Sequence, residues 1–189
     1  MVQTLAAPIA LAAFLALPET QPPSEYIDGQ IVQKPMPKGK HSRIQSKLTA
    51  FINAVTEPLK TASAFTELRC TFDGRSIVPD IAVFTWAQIP RDPAGEIADR
   101  FLVAPDWAIE ILSPDQSHAQ LFKKLRHCFE HGTQAGWIID PTEKTLMIYQ
   151  PGHEALLFDM EAADRPLPMP EFAAEVSLTP QILFSWLSL

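Results

Sequence analysis

Two carboxylates stand where strand patterns call for apolar side chains. Asp80 lies inside Ile77–Phe84 (IVPDIAVF), on the face of Val78 and Ala82, and Glu110 lies inside Asp106–Leu112 (DWAIEIL), on the face of Ala108 and Leu112. A charge on so apolar a face is costly unless something offsets it. If the two strands are neighbours, the connection between positions 80 and 110 returns both carboxylates to one end of a sheet. Oxygen ligands so placed suit a hard cation such as Mg²⁺, which keeps several waters and takes one or two carboxylates. Without metal the two would repel, so removing one should relieve strain. Two other readings explain the pair: solvated edge positions, or the acid and base of a glycosidase. A glycosidase calls for an aromatic-rich sugar cleft, and aromatics are only 9% of this chain.

Other polar residues fall near these two. Glu25 starts a predicted hairpin, either as a third acidic contributor or as a solvated residue. His41 starts a helix, where it either faces the site or acts as a surface or capping residue. Lys34, Lys38, Lys40 and Arg43 put four of the 15 basic residues within ten positions, a local patch that could contact phosphates. The net charge of -7 excludes a protein that coats nucleic acid by bulk charge. With only 7 glycines there is no Gly-rich phosphate cradle. Cys70 and Cys128 have no C-x-x-C spacing and read as reduced structural thiols. His118, His127, His131 and His153 form no zinc-ligand spacing with those cysteines. Tyr26 and Trp107 read as packing residues, and Asp140 before Pro141 as a turn residue.

The elements that must position these residues follow from periodicity and breakers. The length of 189 residues predicts a single domain: an N-terminal helix in 1–20, a core over 21–160, and a loop and helix over 161–189. Leu5–Leu17 is apolar but lacks a preceding positive charge and is too short to span a bilayer. It is therefore expected to be a helix ending before Pro18, in a cytoplasmic protein with no membrane contact. Glu25–Gln33 reads as a hairpin turning at Asp28-Gly29. Ile44, Leu48, Phe51, Ile52 and Val55 define a helix over His41–Val55, stopped by Pro58. Ala64–Thr71, Ile77–Phe84 and Asp106–Leu112 read as strands, and Gln88–Arg100 as a loop. Ser113-Pro114 is expected to start a helix that ends at Gly132. Gly136–Asp140, Lys144–Tyr149 and Glu154–Phe158 read as antiparallel strands, and Thr179-Pro180 as the start of a short helix. The sum is an α/β fold with a mixed central sheet flanked by helices.

Taken in order, several short motifs resemble a known family. Leu17-Pro18-Glu19 follows the apolar helix. Then come Glu25-Tyr26-Ile27-Asp28-Gly29, His41 at a helix start, Val78-Pro79-Asp80-Ile81-Ala82-Val83, Glu110-Ile111-Leu112-Ser113-Pro114 and Gly136-Trp137-Ile138-Ile139-Asp140-Pro141. Pro79-Asp80 and Glu110-Ile111-Leu112 look like the two halves of the PD-(D/E)XK nuclease core. The whole set resembles the Uma2 family of restriction-endonuclease-like proteins. The resemblance implies a restriction-endonuclease-like core and Mg²⁺-dependent cleavage of DNA, with Mn²⁺ as a substitute metal. Asp80 and Glu110 would hold the metal, and a lysine would orient water or steady developing charge. A C₂ homodimer is expected from mechanism, because cutting two strands takes two sites.

One departure bears on activity. Leu112 stands where the general nuclease core has lysine. Uma2-like proteins take that lysine from the next helix, in an Asp-x-x-x-Lys-x-x-x-Tyr pattern that falls here on Gln120, Lys124 and Cys128. On a helical wheel Leu125 and Cys128 share the apolar face of Leu121, Lys124 falls at the edge of that face, and Lys123 points the opposite way. Lys124 therefore sits at the margin of the buried face and can deliver its ammonium to a carboxylate pair. The rival to an enzyme is the same fold without cleavage, serving as a nucleic-acid-binding or protein-interaction module.

Overall fold

A computed structural model describes residues 9–114 and 116–188. The start of the expected N-terminal helix lies outside the described residues. Its described part is α1 (Leu11–Leu15), which ends before Pro18 as expected. Phe14 packs on Tyr26 at a ring distance of 5.6 Å, and the Tyr26 hydroxyl donates to the Ile9 carbonyl. Tyr26 is thus the packing residue the sequence suggested.

The hairpin β1 (Ser24–Ile27) and β2 (Gln30–Gln33) turns where Asp28-Gly29 predicts. Both turn residues have positive φ, 52° and 83°, which a tight type I′ turn requires. Helix α2 (Gly39–Leu59) is longer than its apolar periodicity indicates and passes through Pro58. A proline in the last turn removes only one helical hydrogen bond. Lys60, left-handed at φ 53°, then closes the end through its N–H to Glu57 O.

Two expected single strands are each broken in two. Ala64–Thr71 divides into β3 (Ala62–Thr66) and β4 (Cys70–Phe72), separated by Glu67 at positive φ. Ile77–Phe84 divides into β5 (Arg75–Ile77) and β6 (Ile81–Thr85). Pro79 has no N–H for a ladder, so it is excluded from a central strand and marks the break. An apolar run buried on both faces carries no alternation that could reveal that break.

The remaining elements are β7 (Trp107–Ile111), α3 (His118–Phe129), β8 (Ala135–Asp140), β9 (Thr145–Tyr149), β10 (Leu156–Phe158) and α4 (Pro180–Ser185). Helix α3 starts later than Ser113-Pro114 suggests. Its N-cap is Ser117, whose hydroxyl accepts from Gln120 N–H while the Gln120 side chain accepts from Ser117 N–H. The strands form two sheets, ordered β2-β1-β5-β4 and β10-β9-β8-β7-β6-β3. In the larger sheet β7 and β8 are parallel and joined through α3, and every other pair is antiparallel. This is the expected α/β arrangement, with a mixed sheet flanked by helices.

Alternation sorts the core into two layers. Ile81, Val83, Trp107, Ile109 and Ile111 face one way and pack with Ile44, Leu48 and Ile52 of α2. Ala82, Phe84, Ala108 and Ile138 face the other way, against Leu121, Leu125 and Cys128 of α3. Gly136 lets α3 approach: a Cβ there would lie 2.6 Å from the Phe129 ring. Among the described residues no helix is long and apolar enough to cross a membrane. Both cysteines are buried and free.

Candidate active site

Strands β6 and β7 are neighbours, the condition the sequence set for bringing the carboxylates together. Their antiparallel register pairs Ile81 with Ile109 and Ala82 with Ala108. One further step sets Asp80 across from Glu110. Alternation along β7 puts Glu110 on the face of Ala108, which is the α3 side. Both carboxylates are buried, Glu110 completely.

Each acid has a basic partner. Lys34 Nζ lies 2.6 Å from Asp80 Oδ1, and His41 Nε2 lies 3.1 Å from Asp80 Oδ2. Lys124 Nζ lies 3.1 Å from Glu110 Oε2 and 2.8 Å from Glu25 Oε1. The cluster also completes the backbone of the sheet-to-sheet crossing at Val78-Pro79-Asp80. Val78 N–H donates to Glu25 Oε1, Lys34 donates to Val78 O, and Gln45 Nε2 donates to Asp80 O. Buried backbone groups outside a ladder need such partners. The crossing and the polar centre are therefore one structure.

Electrostatics separate the two acids. Burial favours the neutral form of Asp80, but Lys34 and His41 outweigh it and hold the carboxyl far below the usual range. For Glu110 burial prevails over the attraction of Lys124, and its pKa is pushed up to about 8. Burial works against the charge of Lys124 too, yet Glu110 and Glu25 more than reverse that, so it stays an ammonium.

The donor set fits a hard dication. Glu110 Oε1 is buried with no hydrogen-bond partner. Asp80 is a second oxygen donor of the kind a hard cation takes, and a cation there would compete with Lys34, His41 and the Ile111 N–H for its two oxygens. An orphaned carboxylate oxygen is costly and needs either a proton or a cation. Mg²⁺ at this place would be held by Asp80 and Glu110.

A cleft of about 620 Å³ opens beside the centre, with Glu25, Lys34 and Lys124 among its lining residues. Arg75, Lys123 and Arg126 line it as well. Basic side chains outnumber acidic ones there, against the sign of the whole chain. Lys124 is buried and Lys123 exposed, as the helical wheel indicates.

The expected basic patch is dispersed. Lys34 turns inward onto Asp80 instead of facing solvent. Arg43 donates to Trp186 O, and Lys38 and Lys40 are exposed but do not line the cleft. Nearness in sequence does not decide burial here: Lys34 is buried while Lys38 and Lys40 stay exposed. Glu25 and His41, ambiguous in sequence, both reach the centre. Two of its members were missed: Lys34 as the partner of Asp80, and Gln45. The signal for Gln45 was present, since His41 and Gln45 are polar residues one turn apart on the buried side of α2. Of the other family-pattern positions, Gln120 caps α3 and Cys128 is core.

Comparison with known proteins agrees with this geometry. The family model Uma2, described as "Putative restriction endonuclease", matches residues 11–181. A crystal structure of a putative nuclease belonging to DUF820 from Anabaena variabilis superposes with a TM-score of 0.92 at 56% sequence identity, covering 96% of this chain and 100% of that one. A DrdV–DNA complex gives a TM-score of 0.36 at 12% identity over 75% of this chain and 11% of its own, too slight a likeness to build on. No curated protein matches the chain. With a family model spanning most of its length and a full-length structural relative, the chain belongs to the Uma2 family.

Proposed function

We propose that the protein is a metal-dependent endonuclease that hydrolyses DNA phosphodiester bonds at the Asp80–Glu110 centre. The observation that supports this most strongly is the cross-strand pair itself: two buried carboxylates in register, one with an unpartnered oxygen, beside a basic cleft. Mg²⁺ or Mn²⁺, when bound by Asp80 and Glu110, supplies charge stabilisation at a phosphoryl oxygen. The chain's own groups do the rest. Lys34 and His41 keep Asp80 ionised and fix its orientation. Lys124, fastened to both Glu110 and Glu25, holds a permanent positive charge at the cleft, where charge develops on the phosphate. Lys123 and Arg126, exposed along the cleft, attract the DNA backbone. Two copies, one per strand, would cut a duplex.

The test is cleavage of supercoiled plasmid and of single-stranded DNA in Mg²⁺ or Mn²⁺. Wild-type protein should cut, and Asp80→Asn and Glu110→Gln should each lose activity by about 100-fold or more. Binding without cleavage in either metal would instead assign the chain to the non-catalytic reading. That reading draws on the fact that Lys34 and Lys124 already neutralise the carboxylates.

A further inference from the structure

A second polar cluster lies at the far end of α3, outside the carboxylate centre. His127 and His131 are one helical turn apart, and Asp73 lies in the β4–β5 turn facing them. One ligand atom from each of the three lies within 4.8 Å of the others. Zinc-ligand spacing between histidines and cysteines does not reveal this group. The partners are instead His-x-x-x-His on one helix and an aspartate from a turn 54 positions upstream of His127.

Three details of the cluster point to a cation. His131 Nδ1 lies 2.7 Å from the His127 carbonyl, so that nitrogen carries a hydrogen and Nε2 is the ring atom turned to Asp73; without a metal an N–H there bonds the carboxylate, and a bound cation would take the place of that proton. A metal-binding histidine is typically fixed in this way by its second nitrogen. His131 Nε2 also lies 3.0 Å from Asp73 Oδ2, near the separation of about 3.3 Å between donors around a tetrahedral ion. His127 is 4% exposed, and its ring stacks on Phe72 at 4.7 Å. Its Nε2 is nevertheless buried without a partner. His127 thus offers a ring nitrogen within 4.8 Å of a ligand atom of both Asp73 and His131. Arg75 faces His127 and opposes a cation, but its guanidinium is engaged by Asp28 at 2.7 Å and Asp73 supplies a negative charge.

We propose that Asp73, His127 and His131 form a transition-metal site of the Zn²⁺ class, distinct from the all-oxygen Asp80–Glu110 centre. Two imidazoles and one carboxylate suit Zn²⁺ or Co²⁺ and not Mg²⁺, and they leave a position for water. The ion would clamp the β4–β5 turn to α3. That turn belongs to the sheet carrying Glu25, and α3 carries Lys124 one turn before His127. The site therefore fixes the two elements whose side chains meet over Glu110.

The test is titration of the tag-free full-length protein with Co²⁺, followed by its visible absorption, and with Zn²⁺ by calorimetry, both in excess Mg²⁺. Wild type should take up one equivalent saturably and show the d–d bands of cobalt bound by nitrogen and oxygen. His131→Ala and Asp73→Asn, both at exposed positions, should weaken binding at least tenfold, whereas His153→Ala should not. Circular dichroism checks that each variant is folded; should His131→Ala not fold, Asp73→Asn decides alone. Absence of saturable uptake at millimolar Zn²⁺, or folded variants that bind as wild type does, would overturn the site.

Discussion

Asp80 Oδ2 accepts a 2.7 Å hydrogen bond from the backbone N–H of Ile111, the residue after Glu110. The end of β7 is thus fastened to the carboxylate opposite it, so Asp80 serves the fold as well as the site. From the sequence alone, removing one of two repelling carboxylates should relieve strain. The structure reverses that expectation, because Asp80→Ala leaves the Lys34 ammonium and the Ile111 N–H buried without their partner. Urea unfolding in metal-free buffer should show a loss of about 3–5 kcal/mol. Unchanged or increased stability would mean that the Lys34–Asp80 pair is not a stabilising contact.

Glu110 gives the metal-free protein a distinctive pH dependence. Its carboxyl is raised from 4.5 to about 8 in the folded state, so between those values the folded chain binds more protons than the unfolded chain. Stability then falls as pH rises through that window, by at most about 1.4 kcal/mol per pH unit, the slope for one proton. Asp80 is depressed, so its contribution is present above its ordinary 3.8 and is lost only as pH falls further. Denaturation in chelator from pH 6.5 to 8 should therefore slope downward in wild type and flatten in Glu110→Gln, whereas below 6.5 buried His127, held below its ordinary value, contributes the opposite slope in both proteins. Parallel curves for the two proteins would remove Glu110 as the cause.

Lys124 and Lys123 are adjacent in sequence but differ in burial. Lys124 touches Glu110 and Glu25, whereas Lys123 is exposed in the cleft. Lys124→Met should abolish cleavage and cost stability, since it leaves two acids facing each other. Pairing it with Glu110→Gln should recover part of that stability, with a coupling of about 0.5–3 kcal/mol. Lys123→Met should cleave at near the wild-type rate at saturating DNA. Equal, mild losses of rate in both single variants would mean that neither lysine is catalytic.

DNA affinity should follow the cleft and not the sequence cluster. Lys123→Glu with Arg126→Glu should weaken binding and flatten its salt dependence, because fewer counterions are released. Lys38→Glu with Lys40→Glu should change affinity less. Fluorescence anisotropy over a salt series measures both, and the opposite ranking would return the interface to the α2 end of the chain.

What was legible in the sequence was whatever depends on local period and local chemistry. The Asp28-Gly29 turn, the Trp107–Ile111 strand and the buried face of α3 were read correctly because each is encoded in consecutive residues. The Asp80–Glu110 pairing followed from two polar residues in apolar runs plus one assumption, that the strands are neighbours. What escaped depends on long-range placement. Ile77–Phe84 is apolar on both faces apart from Asp80, so nothing in its alternation marks the change of sheet at Pro79. Lys34 resembles its exposed neighbours Lys38 and Lys40 in sequence, and only the turn of the chain after β2 aims it at Asp80. His127 and His131 show no zinc-ligand spacing with the cysteines, and their third partner comes from a turn that only the fold brings near.

The central claim is that Asp80 and Glu110 together bind a divalent metal, and soaking crystals of the protein in Mn²⁺ tests it directly by anomalous diffraction. The expected result is a peak within coordination distance of both Asp80 and Glu110, absent from Glu110→Gln crystals grown and soaked in the same way. A map with no peak there at millimolar Mn²⁺, or with a peak only at His127 and His131, would contradict the account and leave the buried carboxylates with a structural role.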